Sequence, residues 1–220
     1  MPRYRWNNEL LLGKSSLLFV EGPDDVRFFN AFLAYLQKVS VQVSAVGGKN
    51  EFRKALGSIK NARNVDQLQR LAVIRDSDGN PQRALQSLQD AVKAAGLPEP
   101  MDVGAPADIH SISVYIELVP GIGQAGSLET LLWKLLLDSE RECIGKYLGC
   151  MSQLCEVRNM DKSRLYSYLA AGPIPECCSD GNGAARRVKA GLRLGESAEK
   201  GVWDWEDSAL CRVRELLEAL

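Results

Sequence analysis

Short apolar runs alternate with helical segments through the first half of the sequence, and this order constrains the fold more than any other feature. Four runs are typical of strands: residues 17–20, 41–46, 71–74 and 112–118. Three intervening segments are typical of helices: residues 26–36, 50–60 and 81–95. Strands that alternate with helices of this length form βαβ units, whose strands are parallel. The sequence therefore predicts an α/β fold with a mostly parallel central sheet and flanking helices.

The sequence after about residue 140 has helical patterns and no further strand pattern. The predicted helices occupy residues 143–155, 163–171, 184–194 and 205–220. Another helix is predicted over residues 128–137 with Ser127 as its N-cap, and Asp24 is the predicted N-cap of the first helix. We therefore expect an α/β domain over residues 1–139 and a helical C-terminal extension over residues 140–220 that packs on it.

Composition and charge limit the possible partners. The 220-residue chain has 45% hydrophobic residues and a formal net charge of −1. It can bury a core, but it has no overall basic field, so nucleic-acid binding requires a local basic patch or bound metal ions. No segment approaches the roughly 20 apolar residues of a membrane span, and the first residues do not resemble a signal peptide. We expect a cytoplasmic protein without a membrane partner.

The six cysteines do not form a zinc-binding pattern. All lie from residue 143 onward, none belongs to a CxxC pair, and the single histidine, His110, is distant in sequence. Structural zinc sites need closely spaced Cys and His ligands. The sequence therefore disfavours zinc, and we assign no role to His110.

Acidic residues follow two of the predicted strands at the points where the strands end. Glu21 follows the first strand, and Asp76 and Asp78 follow the third. Asp25 lies about one helical turn after Glu21. Ligands of open α/β sheets bind outside the carboxyl ends of the strands. If the first and third strands are neighbours, four carboxylates meet at one edge of the sheet.

Clustered carboxylates repel one another unless cations neutralise them. Mg²⁺ and Mn²⁺ are hard cations that prefer oxygen ligands. Because side chains alternate along a strand, Asp76 and Asp78 can point the same way while Ser77 points elsewhere. A metal ion held there can polarise a phosphoryl oxygen or activate water. The acidic pattern thus favours a Mg²⁺ (or Mn²⁺) site for phosphoryl transfer.

Three segments in order carry a family resemblance: Phe-Val-Glu-Gly-Pro-Asp-Asp at 19–25, Val-Gly-Gly-Lys at 46–49, and Val-Ile-Arg-Asp-Ser-Asp at 73–78. This pattern resembles the Toprim domain of topoisomerases, bacterial primases, recombination proteins, small RNA maturases and OLD-family nucleases. The Glu-Gly-x-x-Asp spacing and the Gly-Ser-Leu-Glu segment at 126–129 are similar to the OLD-nuclease and small standalone branch. The resemblance implies a Toprim (Rossmann-like) fold.

The resemblance also implies roles for individual residues. The metal ligands would be Glu21, Asp25, Asp76, Asp78 and Glu129. The catalytic residues would be Glu21, Asp76 and Asp78, together with Lys162, which precedes a helix and would stabilise charge in the transition state. Glu21 could serve as ligand or as general base. The charge pattern, rather than the resemblance, predicts nucleic-acid contacts for Lys49 and Arg75, and for Arg186, Arg187 and Lys189 of a basic helical stripe that could instead be a solvated helix face.

Several of these residues have a second interpretation. Glu129 could instead complement the dipole of the helix that it begins, and Lys162 could be a solvated residue near a helix start. Arg75 could pair with a neighbouring carboxylate rather than with a phosphate. Gly47 and Gly48 could admit a metal or phosphate close to the backbone, or form a plain tight turn.

The function predicted from these observations is a Mg²⁺-dependent phosphoryl-transfer enzyme, a nuclease of the OLD-like Toprim type acting on DNA or RNA. The alternative is a non-catalytic Toprim module that binds nucleic acid or a protein partner in repair or defence. A nucleotide-sugar transferase would explain the DxD sequence but not Glu21 and Asp25. An aspartyl phosphatase needs DxDx[TV] after its first strand, which is absent. No GxxxxGK[ST] motif occurs, unlike in full OLD proteins with their ATPase domain.

Overall fold

Four parallel strands form the central sheet of this protein. The computed structural model describes residues 12–103, 111–171 and 191–220. The strands are β1 (Ser16–Val20), β2 (Val41–Ala45), β3 (Arg70–Asp76) and β4 (Ser113–Val119). Their order is β2-β1-β3-β4, and each neighbouring pair is parallel. The predicted α/β fold with a parallel sheet and flanking helices is therefore confirmed.

Eight α-helices lie within the described ranges. They are α1 (Pro23–Tyr35), α2 (Phe52–Ser58), α3 (Pro81–Ala94), α4 (Leu128–Trp133), α5 (Asp138–Ser152), α6 (Met160–Ala170), α7 (Leu194–Glu199) and α8 (Cys211–Ala219). None of these helices is both long enough and apolar enough to span a bilayer.

Several helix ends differ from the prediction. The N-cap of α1 is Gly22 rather than Asp24, because Pro23 fits the first helical position and moves the start of the helix forward. Asp24 instead lies in the first turn. Ser127 does occupy the N-cap position of α4, but that helix ends at Trp133. The C-terminal helix begins at Cys211, after a short 3₁₀ turn at Ser208–Leu210.

The sheet separates two hydrophobic cores. Leu17 and Phe19 face α2 and α3, whereas Leu18 and Val20 face α1 and the C-terminal helices. All five residues of β1 are buried. A central parallel strand is covered on both faces, so it has a continuous apolar sequence instead of alternation. The buried positions therefore explain why residues 17–20 form an unbroken apolar run.

The C-terminal elements cover the α1 face of the sheet. The ring of Trp205 stacks on Phe32 with centroids 4.6 Å apart. The hydroxyl of Ser16, the first residue of β1, donates a buried hydrogen bond of 2.6 Å to the carbonyl oxygen of Leu220. These contacts join the last residue of the chain to the first strand. The predicted division near residue 139 falls within α5 and stays a prediction.

The contact between α7 and α1 leaves no room for a side chain at Gly195. A Cβ atom there would lie 2.7 Å from Arg27 Cβ and 2.8 Å from the carbonyl oxygen of Asp24. We expect Gly195→Ala to lower the free energy of unfolding by about 1–3 kcal/mol, because the two helices must separate. Urea denaturation followed by circular dichroism measures this change.

Gly145→Ala in α5 is the matched control. Gly145 has open space around its Cβ position, so the extra helix propensity of alanine should raise the free energy of unfolding by up to about 1 kcal/mol. Changes of the same sign and size in the two variants would contradict the close packing of α7 on α1.

Candidate active site

The order of the strands places two predicted acidic residues at the same edge of the sheet. β1 pairs with β3, and Phe19 lies opposite Val73 in the register. Glu21 follows directly after β1, and Asp76 is the last residue of β3. The first and third strands are therefore neighbours, as the convergence of the carboxylates required.

A cleft of about 810 Å³ opens at this edge. Five predicted site residues line it: Glu21, Asp25, Asp76, Glu129 and Lys162. They come from the end of β1, from α1, from the end of β3, from α4 and from α6. The cleft also has lining residues that the sequence patterns did not reveal, namely Glu51, Lys54, Tyr166 and Leu194. These four have no motif of their own, and only the packing of α2, α6 and α7 brings them here.

The glycine turn after β2 holds the backbone of Glu21. The N–H groups of Gly47 and Gly48 each donate to the carbonyl oxygen of Glu21 at 3.0 Å. Both glycines have positive φ, 94° and 125°, a region that favours glycine. The two N–H groups thus form a tight turn on Glu21, and because both glycines also line the cleft, the close approach of a metal or phosphate stays a prediction. The turn fixes the end of β1.

Asp76 and Asp25 are carboxylates in an unfavourable setting for negative charge. Burial raises the pKa of Asp76 to about 8, and repulsion from Glu21, Asp25 and Glu129 contributes. The N–H of Leu128 donates to Asp76 Oδ1 at 2.9 Å and only partly offsets these effects. Burial likewise raises the pKa of Asp25 to about 7, against a hydrogen bond from the N–H of Gly22. Repulsion and desolvation both disfavour the ionised forms.

Glu21 is paired with Arg75 but not hydrogen-bonded to it. Arg75 Nε lies 3.9 Å from Glu21 Oε1, and both atoms are buried without a hydrogen-bond partner. Burial raises the pKa of Glu21, and the positive charge of Arg75 opposes that shift. Of the two interpretations of Arg75, pairing with a neighbouring carboxylate is the one observed. Glu21 Oε1 retains its capacity to accept a further bond.

Glu129 faces the cleft rather than solvent. It is 7% exposed, and it accepts a hydrogen bond of 2.8 Å from the hydroxyl of Ser127. Lys162 Nζ lies 3.5 Å from Glu129 Oε1. The negative charge of Glu129 raises the pKa of Lys162, so the ammonium group stays charged beside the carboxylates. Lys162 thus lies at the cleft, although its side chain is 57% exposed.

Asp78 does not point with Asp76, and the expected alternation is wrong. β3 ends at Asp76, and Asp78 has a left-handed backbone with φ 51°. Its N–H and carbonyl form a pair of 2.8 Å hydrogen bonds with Gly126. Its carboxylate pairs with Lys49 Nζ at 2.8 Å and is 47% exposed. Asp78 is therefore beside the cleft, where it still raises the pKa of Glu21.

Only glycine fits at position 126, where the backbone pairs with Asp78. Its φ is 138°, and a Cβ atom would lie 2.6 Å from Thr130 Oγ1. Thr130 Oγ1 accepts from the N–H of Ser127 and donates to Asp161. This set of contacts joins the end of β3, the start of α4 and the start of α6, and so positions Glu129 relative to Asp76.

Within the described part of the chain, there is no group of three or more Asp, Glu, His or Cys side chains whose arrangement could hold a metal ion. The remaining predicted contact residues, Arg186, Arg187 and Lys189, lie outside the described residues, as does His110. The predicted helix over residues 184–194 also falls mostly outside them, and its last residue is the first of α7.

Comparisons with known proteins give a family and a structural neighbour. A family model described as "Protein of unknown function (DUF3226)" matches residues 15–180. The solved C-terminal region of the Xanthomonas campestris pv. campestris OLD protein is 17% identical, with a TM-score of 0.46 over 94% of this chain and 91% of that chain. No curated protein matches the sequence.

The raised pKa of Asp76 predicts a pH-dependent stability cost. The carboxyl holds its proton up to about pH 8 in the folded protein but ionises from 3.8 upward when exposed, so its contribution to stability is lost as pH rises through this window. We expect Asp76→Asn to raise the free energy of unfolding by on the order of 2–4 kcal/mol near pH 9, and by much less near pH 5. Thermal or urea denaturation in EDTA measures the difference.

Asp78→Asn provides the control, because it removes an exposed carboxylate at the same edge of the sheet. Its difference from wild type should change little between the same two pH values. A stability difference for Asp76→Asn that is independent of pH would show that Asp76 is not buried among like charges.

Proposed function

This chain belongs to the DUF3226 family, and we propose that it is a Mg²⁺-dependent phosphodiesterase of the Toprim type that cleaves DNA or RNA. One observation carries the proposal. Glu21, Asp25, Asp76 and Glu129 come from four separate elements and line one cleft at the carboxyl edge of a parallel sheet. This edge is where open α/β sheets bind their ligands.

The charges of the cleft favour a cation. Six carboxylates line it, those of Glu21, Asp24, Asp25, Glu51, Asp76 and Glu129, against two lysines. The pKa values of Glu21, Asp25 and Asp76 are raised, because burial and repulsion among the carboxylates disfavour their ionised forms. Bound Mg²⁺ or Mn²⁺ would relieve this repulsion.

The donor groups fit Mg²⁺. Glu21 Oε1 is buried and accepts no hydrogen bond. Mg²⁺ in proteins usually takes one or two carboxylates and completes its shell with water and substrate phosphate oxygens. A site for it therefore does not need three preformed protein ligands. One or two of the carboxylates of Glu21, Asp25, Asp76 and Glu129 would hold the ion, which when bound supplies the Lewis acidity that polarises a phosphoryl oxygen.

Two residues of the cleft would act on the substrate directly. Where Glu21 does not itself hold the ion, it would act as the general base, because burial raises its pKa and makes its carboxylate a stronger base toward an attacking water than an exposed glutamate. Lys162 holds a positive charge at the cleft and would stabilise the negative charge that develops on the phosphoryl group. These are the roles of general base and of electrostatic stabiliser.

A non-catalytic function is favoured by one observation. Three of the acidic residues already have cationic partners: Arg75 beside Glu21, Lys49 beside Asp78, and Lys162 beside Glu129. A site neutralised by its own chain can persist without metal. The second candidate is therefore a module that binds nucleic acid or a protein partner without cleaving it.

A cleavage assay separates the two functions. We expect the wild-type protein to cleave labelled DNA or RNA oligonucleotides in Mg²⁺ or Mn²⁺ but not in EDTA. Asp76→Ala should reduce the rate by a factor of about 100 or more, because it removes a proposed metal ligand that lines the cleft at the end of β3. Gel electrophoresis of the products measures the rate.

Asp66→Ala is the matched control for this assay, because Asp66 is exposed at the turn before β3, at the opposite edge of the sheet. Its rate should equal that of wild type. No divalent-ion uptake in titration calorimetry, together with no cleavage, would exclude the hydrolase and leave the binding module.

Lys162→Met tests the electrostatic role. We expect kcat to fall by a factor of about 10²–10³ with a smaller change in KM, because the charge acts on the transition state. Lys146→Met, which removes an exposed lysine of α5, is the control. A rise in KM with unchanged kcat would show instead that Lys162 only binds substrate.

A further inference from the structure

A second depression lies beside the cleft, between α2 and α3, and its charge is opposite. It has a volume of about 420 Å³. Four cationic side chains line it: Lys49, Arg53, Arg75 and Arg83. Its one carboxylate, Asp90, accepts a hydrogen bond of 2.9 Å from Gln86. We call this depression the basic groove.

Two cations of the basic groove are free to bind a ligand. Arg53 and Arg83 form no ion pair within the described part of the chain. Both are exposed and lie in the first turns of α2 and α3. Since β2 and β3 precede these helices, both arginines are at the same edge of the sheet as the acidic cleft.

Arg75 connects the basic groove to the cleft. Its Nε lies 3.9 Å from Glu21 Oε1, while its side chain also lines the groove. The Nε atom is buried and has no hydrogen-bond partner. Lys49 lies at the same boundary, where it pairs with Asp78. The acidic cleft, which would bind a cation, and the basic groove, which would bind an anion, therefore adjoin each other at Arg75 and Lys49.

We propose that the basic groove binds a phosphate of the nucleic-acid strand next to the phosphate held in the cleft. The proposal rests on the proposed function and specifies its substrate class. A chain of phosphodiesters provides a second phosphate on the side of the cleft where the groove lies, whereas a mononucleotide leaves the groove empty. Arginine suits this role because its planar fork binds phosphate oxygens in pairs. The protein therefore acts on polynucleotides.

The salt dependence of binding tests the groove without any cleavage. A fluorescein-labelled single-stranded oligonucleotide is titrated with protein by fluorescence anisotropy, with Ca²⁺ in place of Mg²⁺ and at several salt concentrations. Each phosphate contact on a single strand contributes about 0.7 to the slope of log K against log salt. We expect Arg53→Gln/Arg83→Gln to weaken binding and to lower this slope by about 0.7, the contribution of the one phosphate held in the groove.

The control variant removes the same charge elsewhere. Arg63 and Lys93 are exposed at the opposite edge of the sheet, near the start of β1 and in the last turn of α3. Arg63→Gln/Lys93→Gln should leave the slope at the wild-type value. Equal slopes for the two double variants, or no oligonucleotide binding by wild type, would overturn the groove. If the groove instead binds an acidic protein segment, oligonucleotide binding will not depend on Arg53 and Arg83, and this result too would overturn the proposal.

Cleavage in Mg²⁺ is measured separately on the same oligonucleotide. If wild type binds with a slope that depends on Arg53 and Arg83 but does not cleave, the phosphodiesterase is wrong and the groove stands. If wild type cleaves while the groove variant binds as the control does, the groove is wrong and the phosphodiesterase stands.

Discussion

The parallel pairing of β1 with β3 brings Glu21 and Asp76 together, and the rest of the site depends on their proximity. Carboxylates that meet at a partly buried edge repel one another and lose hydration. Several contacts position these carboxylates. The glycine turn binds the carbonyl oxygen of Glu21, the N–H of Leu128 donates to Asp76, and Arg75 lies beside Glu21. These contacts hold the carboxylates in place without removing the cause of the repulsion, which the proposed metal ion would relieve.

The charges around the sheet edge are divided rather than mixed. Acidic side chains line the cleft, and basic side chains line the groove between α2 and α3. Arg75 and Lys49 lie on the boundary, each beside a carboxylate. An ion pair at this boundary limits how far the negative potential of the cleft and the positive potential of the groove extend. A ligand that carries a cation at one end and a phosphate at the other complements both parts, and the proposed substrate has this composition when it binds with its metal ion.

The C-terminal helices form part of the site. Lys162 and Tyr166 come from α6, and Leu194 begins α7, so these helices supply one wall of the cleft. Gly195 lets α7 lie directly on α1. Trp205, in the segment after α7, packs against Phe32 of α1 on a face of the sheet, and Leu220, at the end of α8, binds the first residue of β1. Stability and the shape of the cleft therefore depend on the same packing, and a substitution in the interface changes both.

The class of fold, the order of its elements and the position of Glu21 and Asp76 at strand ends could be predicted from the sequence, because they follow from local apolar patterns and from the short range of helix and turn signals. Tertiary contacts, in contrast, turn Asp78 away in a left-handed conformation paired with Gly126. Tertiary packing also brings Glu51, Lys54 and Tyr166 to the cleft and places Arg53 of α2 and Arg83 of α3 along the same groove. No local pattern encodes those placements, since they arise from the packing of segments that are distant along the chain.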